Sequence, residues 1–403
     1  MTRAATWALG FAYAMAWAIA SWLWNGPPSD LDNFFLPAVR IVLNGHPLLI
    51  YTPRFQDIIA NDNGPLGLVP LTGVAAIASR LGWLEDARLL HALIMAVFSI
   101  FSLLMAREAV AAIDRLREER LRGLSRLLAY GVLAASPTLV TGVLGYGHIE
   151  QPMTLWLVLL AVRFAARGRS AGAGVTFGLA ILTRSLAALP MIPLGLVLLV
   201  RGRRRALVVL AGSAALTIAV GLLPFVLADP ADTIYSLLTH RALMPVGGGS
   251  FWQILVGTPY QWIPQRWDVF FVLGLAVLLS LVVIVARRDL EPSSRDMYGL
   301  LALTALALPL LAKSVWPYYF LDAYVFGAVW WLGQPNPLAW GRRLAGAALP
   351  LIATVGTLLT EYEMGFGPGP IRFREGVAMS VVLSVVAVVL TIRLVERRPG
   401  LPQ

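Results

Sequence analysis

The chain has 403 residues, of which 58% are apolar and 13% charged, and its formal net charge is +10. Many segments reach the roughly 20 apolar residues that cross a bilayer, and no polar stretch is long enough to fold as a separate soluble domain. The positive charge lies in short arginine-rich loops, the pattern of cytoplasmic loops rather than of a nucleic-acid surface, and the lack of cysteine excludes disulfides and thiolate metal sites.

The first apolar element runs from Ala4 to Trp24. Arg3 precedes it and no small-residue cleavage site follows, so it reads as an uncleaved anchor with a cytoplasmic N-terminus. Basic stretches at 107–126, 163–169, 201–205, 287–295, 342–343 and 393–398 are assigned to the cytoplasm by the same rule. Parity then constrains the start of the chain. Two apolar runs, Gly64 to Leu81 and Ala87 to Ala106, lie between Trp24 and Arg107. If both crossed, the 107–126 loop would face outward. Gly64 to Leu81 opens on Asn63-Gly64-Pro65 and is broken again by Pro70 and Gly73, so it is expected to be interfacial or re-entrant. The outer segment 25–86 then holds two or more helices lying along the membrane.

The further spans are expected at Leu127–Leu144, Pro152–Ala166, Ala171–Thr183, Ser185–Val200, Ala206–Leu227, Asp268–Ala286, Met297–Ala312, Tyr318–Leu332, Leu344–Thr360 and Val377–Leu394. With Ala4–Trp24 and Ala87–Ala106 this makes about twelve spans. The expected fold is all-α: a single multi-pass membrane domain over 1–403, with outer loops at 25–86 and 228–267 and a cytoplasmic C-terminus. No internal repeat is visible, which disfavours an inverted-repeat transporter.

The outer face collects the unusual residues. Asp30 and Asp32 open the segment after the first helix. A carboxylate at the bilayer surface is well placed to deprotonate an acceptor hydroxyl. The plainer alternative is an N-cap, a common place for Asp, and it accounts for one of the two aspartates but not both. Asp30-Leu31-Asp32 also has the spacing of a metal clip, a match too short to carry weight. No zinc-type cluster, P-loop or dinucleotide signature is present, and no cofactor or metal is expected.

Ionisable groups near or inside a bilayer are costly and are functional candidates. Arg184 sits between two apolar runs, and Lys313 is the only lysine in the chain. The topology brings both to the outer edge, where two cations can hold a phosphate whose lipid tail stays in the membrane; snorkelling to headgroups is the alternative. His148 and Glu150, in Gly145-Tyr146-Gly147-His148-Ile149-Glu150-Gln151, face the same side as candidate ligand groups, although a lone His equally suits a structural role. His240, Arg241 and Arg266 add positive groups to the outer loop 228–267. Its run Gly247-Gly248-Gly249-Ser250-Phe251-Trp252 either closes over a ligand or simply connects. Arg40 is expected to orient Asp30 or meet a headgroup, and Asp322 to balance one of the cations.

Asp30-x-x-x-Phe34-Phe35, followed by Arg40 and Leu43-Asn44-Gly45-His46-Pro47-Leu48-Leu49-Ile50-Tyr51, resembles the start of the bacterial polyprenyl-phosphate-mannose-dependent mannosyltransferases, which belong to the GT-C superfamily. Asn63-Gly64-Pro65-Leu66 is similar to the family's Pro-Pro-Leu helix. Gly145–Gln151 is similar to its Gly-Gln or Gly-His turn, and Gly178–Arg184 to its Gly-x-Ala-x-x-x-Lys segment. Ser250-Phe251-Trp252 and Ser314-Val315-Trp316-Pro317-Tyr318-Tyr319 resemble two further blocks. Two positions depart: Phe34 stands where Tyr is common, and Pro317 where a His is frequent, so any role of that His is absent or taken by Lys313 or His148.

The resemblance implies a GT-C-like fold and an inverting transfer of a hexose, mannose above others. The donor is a polyprenyl-phosphate sugar and the acceptor a glycolipid or glycan, at the outer face of the cell membrane. Asp30 is then the general base, ranked above Asp32 by its spacing to the aromatic pair. Arg184 and Lys313 meet the leaving phosphate, with Trp316 and Tyr319 among the substrate-binding residues. A transporter or flippase is the rival class, and a polysaccharide polymerase or ligase shares the lipid-phosphate leaving group.

Overall fold

The computed structural model describes residues 3–24, 29–52, 61, 63–248, 250–334 and 370–396. It is helical almost throughout. α1 (Arg3–Leu23) leads to a π-helical turn at Leu31–Phe35 that runs straight into α2 (Leu36–Leu43). α3 (Pro65–Arg80) and α4 (Ala87–Leu116) follow, then α5 (Gly123–Ala134), α6 (Pro137–Val140), a second π-turn at Thr141–Gly145, and α7 (Glu150–Ala166). Next come α8 (Ser170–Thr183), α9 (Met191–Val200), α10 (Arg204–Ala228), α11 (Pro230–Ile234), α12 (His240–Leu243) and α13 (Trp262–Ala286). α14 (Arg295–Ala305), α15 (Ala307–Leu311), α16 (Leu321–Leu332) and α17 (Pro370–Val395) complete the order.

The helices pack as a bundle in which α7 and α8 lie side by side, α10 covers α8, α4 sits between α1 and α7, and α14 rests on α16. Small residues let the backbones approach. A Cβ added at Gly174 would lie 2.0 Å from Ser213 Oγ, and one at Gly178 would lie 2.6 Å from Thr217 Cβ. In lipid such close contact replaces the hydrophobic drive between helices that water supplies elsewhere. The main apolar core joins α2, α3, α4, α7, α8, α14 and α16, with Phe35, Phe98, Phe177 and Phe326 among its fully buried side chains.

Among the described residues, four stretches are long and apolar enough to cross a membrane: Ala87–Leu116, Gly123–Gly145, Arg204–Ala228 and Trp262–Ala286. The expected count of about twelve is not reproduced. Several helices at the expected spans are shorter than a full crossing, and the backbone leaves the helix at their cavity ends. α8 stops at Arg184, where φ is −153° and ψ 123°; α14 gives way to α15 and then to an extended stretch at Ala312; and a 3₁₀ turn at Pro317–Phe320 precedes α16. Irregular backbone at membrane depth is tolerated where it lines a cavity or is buried in protein. The expected break at Pro70 and Gly73 does not occur: α3 is continuous through both. Pro70 removes one backbone donor without ending the helix. The span expected at Leu344–Thr360 lies outside the described residues.

Candidate active site

The unwound segments meet at one cavity of about 280 Å³. Its walls bring together Ser29, Asp30 and Phe34 from the first π-turn region, Tyr146 and His148 from the loop before α7, and Arg184 to Leu186 after α8. Lys313, Ser314, Trp316, Tyr318 and Tyr319 close it from the segment between α15 and α16. These groups come from remote parts of the sequence, and each sits where a helix has just ended or is about to begin.

Asp30 is placed by its backbone. Its N–H donates to Tyr146 O at 3.0 Å, clasping the first π-turn to the loop before α7. Gly147 makes that approach possible. Its φ is +74°, and a Cβ there would lie 2.5 Å from both Leu31 N and Ser29 Oγ. The Asp30 side chain makes no capping hydrogen bond to its own helix. It is about one-third exposed, with Oδ2 3.0 Å from His148 Nε2, close enough for an ion pair though off the line of an ideal hydrogen bond.

His148 is therefore not a lone histidine. Its Nδ1 lies 2.9 Å from Glu150 Oε1, and its ring packs on Tyr318 with centroids 3.8 Å apart. Burial disfavours the imidazolium, but the charge of Glu150, its hydrogen bond to the ring and the Asp30 carboxylate beside Nε2 outweigh it. The pKa is pushed up to about 9, so the ring is charged at neutral pH.

Arg184 reaches the cavity at the break after α8, and its guanidinium lies over the Tyr318 and Tyr319 rings, 5.4 and 5.9 Å from their centroids. Such stacking suits arginine and fixes the plane of its donors. Its Nε is 3.9 Å from Glu150 Oε1. Two glycines let α3 press on this region: a Cβ at Gly64 would lie 1.9 Å from Leu182 O, and one at Gly67 would lie 3.4 Å from Glu150 Cβ. Lys313 is buried. Its Nζ donates to Gln265 O at 3.0 Å, and its backbone N–H donates to Asp268 Oδ2 at 3.3 Å. The following residues form a two-residue strand, β2 (Ser314–Val315), paired in parallel with β1 (Gly247–Gly248) of the outer loop. Pro317 then enforces an extended Trp316, with φ −122° and ψ 154°. The aromatic wall follows, with Tyr146 5.6 Å from Trp316 and 5.2 Å from Tyr318 between ring centroids.

Of the residues singled out in the sequence, Asp30, His148, Arg184, Lys313, Trp316 and Tyr319 line this cavity. Glu150 does not. It is fully buried behind His148 and Arg184 and does not face the cavity. Asp32 faces a second cavity with Arg40, Glu85 and His91. Its Oδ1 is 2.9 Å from His91 Nε2, and its Oδ2 accepts from Ser29 N and Oγ. The Asp-x-Asp spacing is thus not a convergent pair of carboxylates. Arg40 does not orient Asp30; it lies 3.6 Å from Glu85 Oε2, largely exposed. Arg266 is exposed on the first turn of α13, away from the cavity lining. The Arg241 side chain lies outside the described residues. Asp322 accepts from Gln151 Nε2 at 3.2 Å, forms no ion pair within 4 Å among the described residues, and feels the Arg184 charge at longer range. Sequence reasoning missed Tyr146, Ser29 and Tyr318 as wall residues. Tyr318 stood within the Ser314–Tyr319 block quoted for the resemblance, with no role given to it.

A helical membrane protein whose helices break around a carboxylate, an imidazolium, two cations and an aromatic wall has the parts of a group-transfer enzyme. Residues 70–314 match the model of glycosyltransferase family 87, and the chain belongs to that family, which is of GT-C type. Membership sets the transporter and flippase reading aside. The matched stretch contains His148, Arg184 and Lys313; Asp30 precedes it. The crystal structure of ArnT from Cupriavidus metallidurans bound to undecaprenyl phosphate aligns with 98% of this chain and 74% of its own, at 16% identity and a TM-score of 0.48. No curated protein matches the chain.

Proposed function

We propose that this protein transfers a hexose, mannose in our reading, from a polyprenyl-phosphate donor to a glycolipid or glycan acceptor at the extracytoplasmic face of the cell membrane, with inversion at the anomeric carbon. The observation that carries the proposal is the position of Asp30 on the same cavity as Arg184 and Lys313. Asp30 takes the proton of the acceptor hydroxyl. The acceptor oxygen bonds to the anomeric carbon as the bond to the phosphate oxygen breaks, and the electron pair leaves with the lipid phosphate. That phosphate gains negative charge in the step, and Arg184 and Lys313 stabilise charge where it develops. His148, held between Asp30 and Glu150, keeps the base oriented. Tyr146, Trp316 and Tyr319 offer rings for a sugar face.

The test uses the purified protein in lipid vesicles, with polyprenyl-phosphate mannose and an outer-leaflet glycolipid acceptor. The expected product carries the sugar with anomeric configuration opposite to the donor's, read by NMR. A product of retained configuration removes the single-displacement scheme, and consumption only of a nucleotide sugar removes the donor class.

A further inference from the structure

Glu150 stands behind both halves of the cavity. Its carboxylate is fully buried, and one oxygen, Oε1, serves two neighbours: His148 Nδ1 at 2.9 Å and Arg184 Nε at 3.9 Å. The first of these leads to Asp30, because the other ring nitrogen of His148 is 3.0 Å from Asp30 Oδ2. Oε2 has no hydrogen-bond partner among the described residues. An isolated buried carboxylate is costly. This one is held by two positive neighbours and by its place in the first turn of α7, where the helix dipole favours negative charge. A Cβ added at Gly67 of α3 would lie 3.4 Å from the Glu150 Cβ, so α3 passes close on that side.

We propose that Glu150 is a positioning residue that sets the base and the phosphate cation at a fixed separation, holding His148 against Asp30 with one contact and Arg184 toward the cavity with the other. This rests on the transfer reading above. The consequence is shared control: disturbing one carboxylate disturbs proton removal and leaving-group stabilisation together. The two reacting ends of an in-line displacement must be correctly placed at the same moment, and misplacement by about 1 Å costs roughly a hundredfold in rate. The groups that face His148 are Asp30 from the first π-turn, Glu150 on α7 and Tyr318 on the turn before α16. Tyr146 lies on the same loop, Arg184 and Tyr319 lie beyond Tyr318, and Asp322 lies behind Gln151. Of the carboxylates among them, only Asp30 and Glu150 touch the imidazole.

Glu150→Gln is compared with the wild type in two measurements. The first is transfer in vesicles, as kcat, KM for the polyprenyl-phosphate sugar, and kcat against pH. The second is NMR titration of the His148 ring in the full-length protein without substrate. In the variant we expect kcat to fall about a hundredfold, the alkaline limb of the profile to move to lower pH, and the His148 titration to move with it. Combined with His148→Gln, Glu150→Gln should add little on that arm, because the two act as one unit. An unchanged pH limb and unchanged His148 titration overturn the proposal, even where kcat falls, since lost packing alone would do that. If the glutamine variant does not fold, Glu150→Asp withdraws the charge by one bond length, about 1.5 Å. It should show both changes at smaller size, and the absence of both overturns the proposal. A wild type that transfers no sugar while the variant's His148 titration shifts would defeat the transfer reading and leave the Glu150 contact standing.

Discussion

Asp30, at the N-cap of the first π-helical turn, and Asp32, within it, stand two residues apart and face different cavities, because residues at that spacing do not share a helix face. Asp30 meets His148 beside Arg184 and Lys313, and Asp32 is tied to Ser29 and His91. Asp30→Asn should therefore keep the fold and the donor site yet lose about 10²- to 10⁴-fold in transfer. Asp32→Asn should keep most turnover. Its cost should appear in stability. Burial raises the Asp32 carboxyl, but the bonds to His91 and Ser29 prevail and hold it below its ordinary 3.8. A depressed carboxylate stabilises the fold above its unfolded pKa, and that stabilisation is lost as pH falls through the folded value. Acidification below about pH 4 should thus lower the unfolding temperature of the wild type more than that of Asp32→Asn, as read by a detergent melt. Equal turnover in Asp30→Asn and wild type would end the base assignment.

Gly147 gives a second, independent handle on the base. Alanine at φ +74° with backbone and hydroxyl atoms at 2.5 Å cannot be accommodated without moving Ser29 to Leu31. The left-handed backbone alone costs about 1–2 kcal/mol for a non-glycine residue. Gly147→Ala should therefore lower the melting temperature modestly and transfer severely. Gly168→Ala, also at positive φ but with nothing within 4 Å of a Cβ, should cost stability without the same loss of transfer. Similar activity in the two variants would show that the clasp between Asp30 N and Tyr146 O does not matter.

Much of this arrangement is legible in the sequence. Arg184 and Lys313 attract notice because a charge between apolar runs is expensive, and Asp30 because it opens an apolar segment beside an aromatic pair. What the sequence hides is direction and pairing. Asp30 and Asp32 look equivalent until the π-turn assigns them to separate cavities, and Arg40 looks near Asp30 until Glu85 claims it. Glu150 reads as a ligand group two residues from His148, yet folding turns it inward. The expected count of about twelve spans is not confirmed for a related reason. Hydropathy shows one apolar run at 297–312, whereas α14 gives way to α15 inside it, and the run at 185–200 opens with a 3₁₀ turn at Ser185–Ala188 before α9. Periodicity carries no signal for a break whose cause is a cavity built by other helices.

The His148 charge sets an alkaline limit on stability. Its folded pKa of about 9 lies above the ordinary 6.5. A group raised in this way contributes stability in full below 6.5 and loses it as pH rises through about 9. The size is roughly 3 kcal/mol at 1.36 kcal/mol per unit. The wild type should lose melting temperature between neutral pH and pH 9, and His148→Gln should be flatter over that window while starting lower. Parallel melts of both proteins decide it, and parallel curves would remove His148 as the source.

Topology is open to direct labelling because the natural chain has no cysteine. The basic 107–126 stretch is assigned to the cytoplasm and the 25–86 segment to the outside. Glu119 and Glu85 are exposed in these two regions. Asn61 would be a poor probe because it is buried. Single cysteines at Glu119 and Glu85, treated with an impermeant thiol reagent on intact cells, should label only at Glu85, with Glu119 reacting after permeabilisation. The reverse pattern, Glu119 labelled from outside and Glu85 only after permeabilisation, would overturn the assignment, and labelling of both from outside would mean that α4 does not cross.

The two cations of the cavity should separate by chemistry. Arg184 stacks over Tyr318 and Tyr319 with its donors fixed in a plane, which suits a two-oxygen grip on phosphate, whereas the Lys313 ammonium acts as a point charge. Lys313 is also held from behind, through Gln265 O and the Asp268 carboxylate on its backbone, so its replacement should disturb local structure as well as charge. Arg184→Ala should weaken binding of a polyprenyl-phosphate sugar and slow transfer by about 10²- to 10³-fold, the scale for removing one group that stabilises developing charge. Arg184→Lys should recover only part, because the planar fork is lost. Lys313→Ala should be milder in rate, with Lys313→Arg between it and the wild type. The measurements are donor titration of each purified variant and single-turnover transfer, which separate binding from chemistry. Unchanged affinity and unchanged rate in both alanine variants would mean that Arg184 only neutralises the buried Glu150 and Lys313 only braces Gln265 O, and the phosphate would then have to be met by His148.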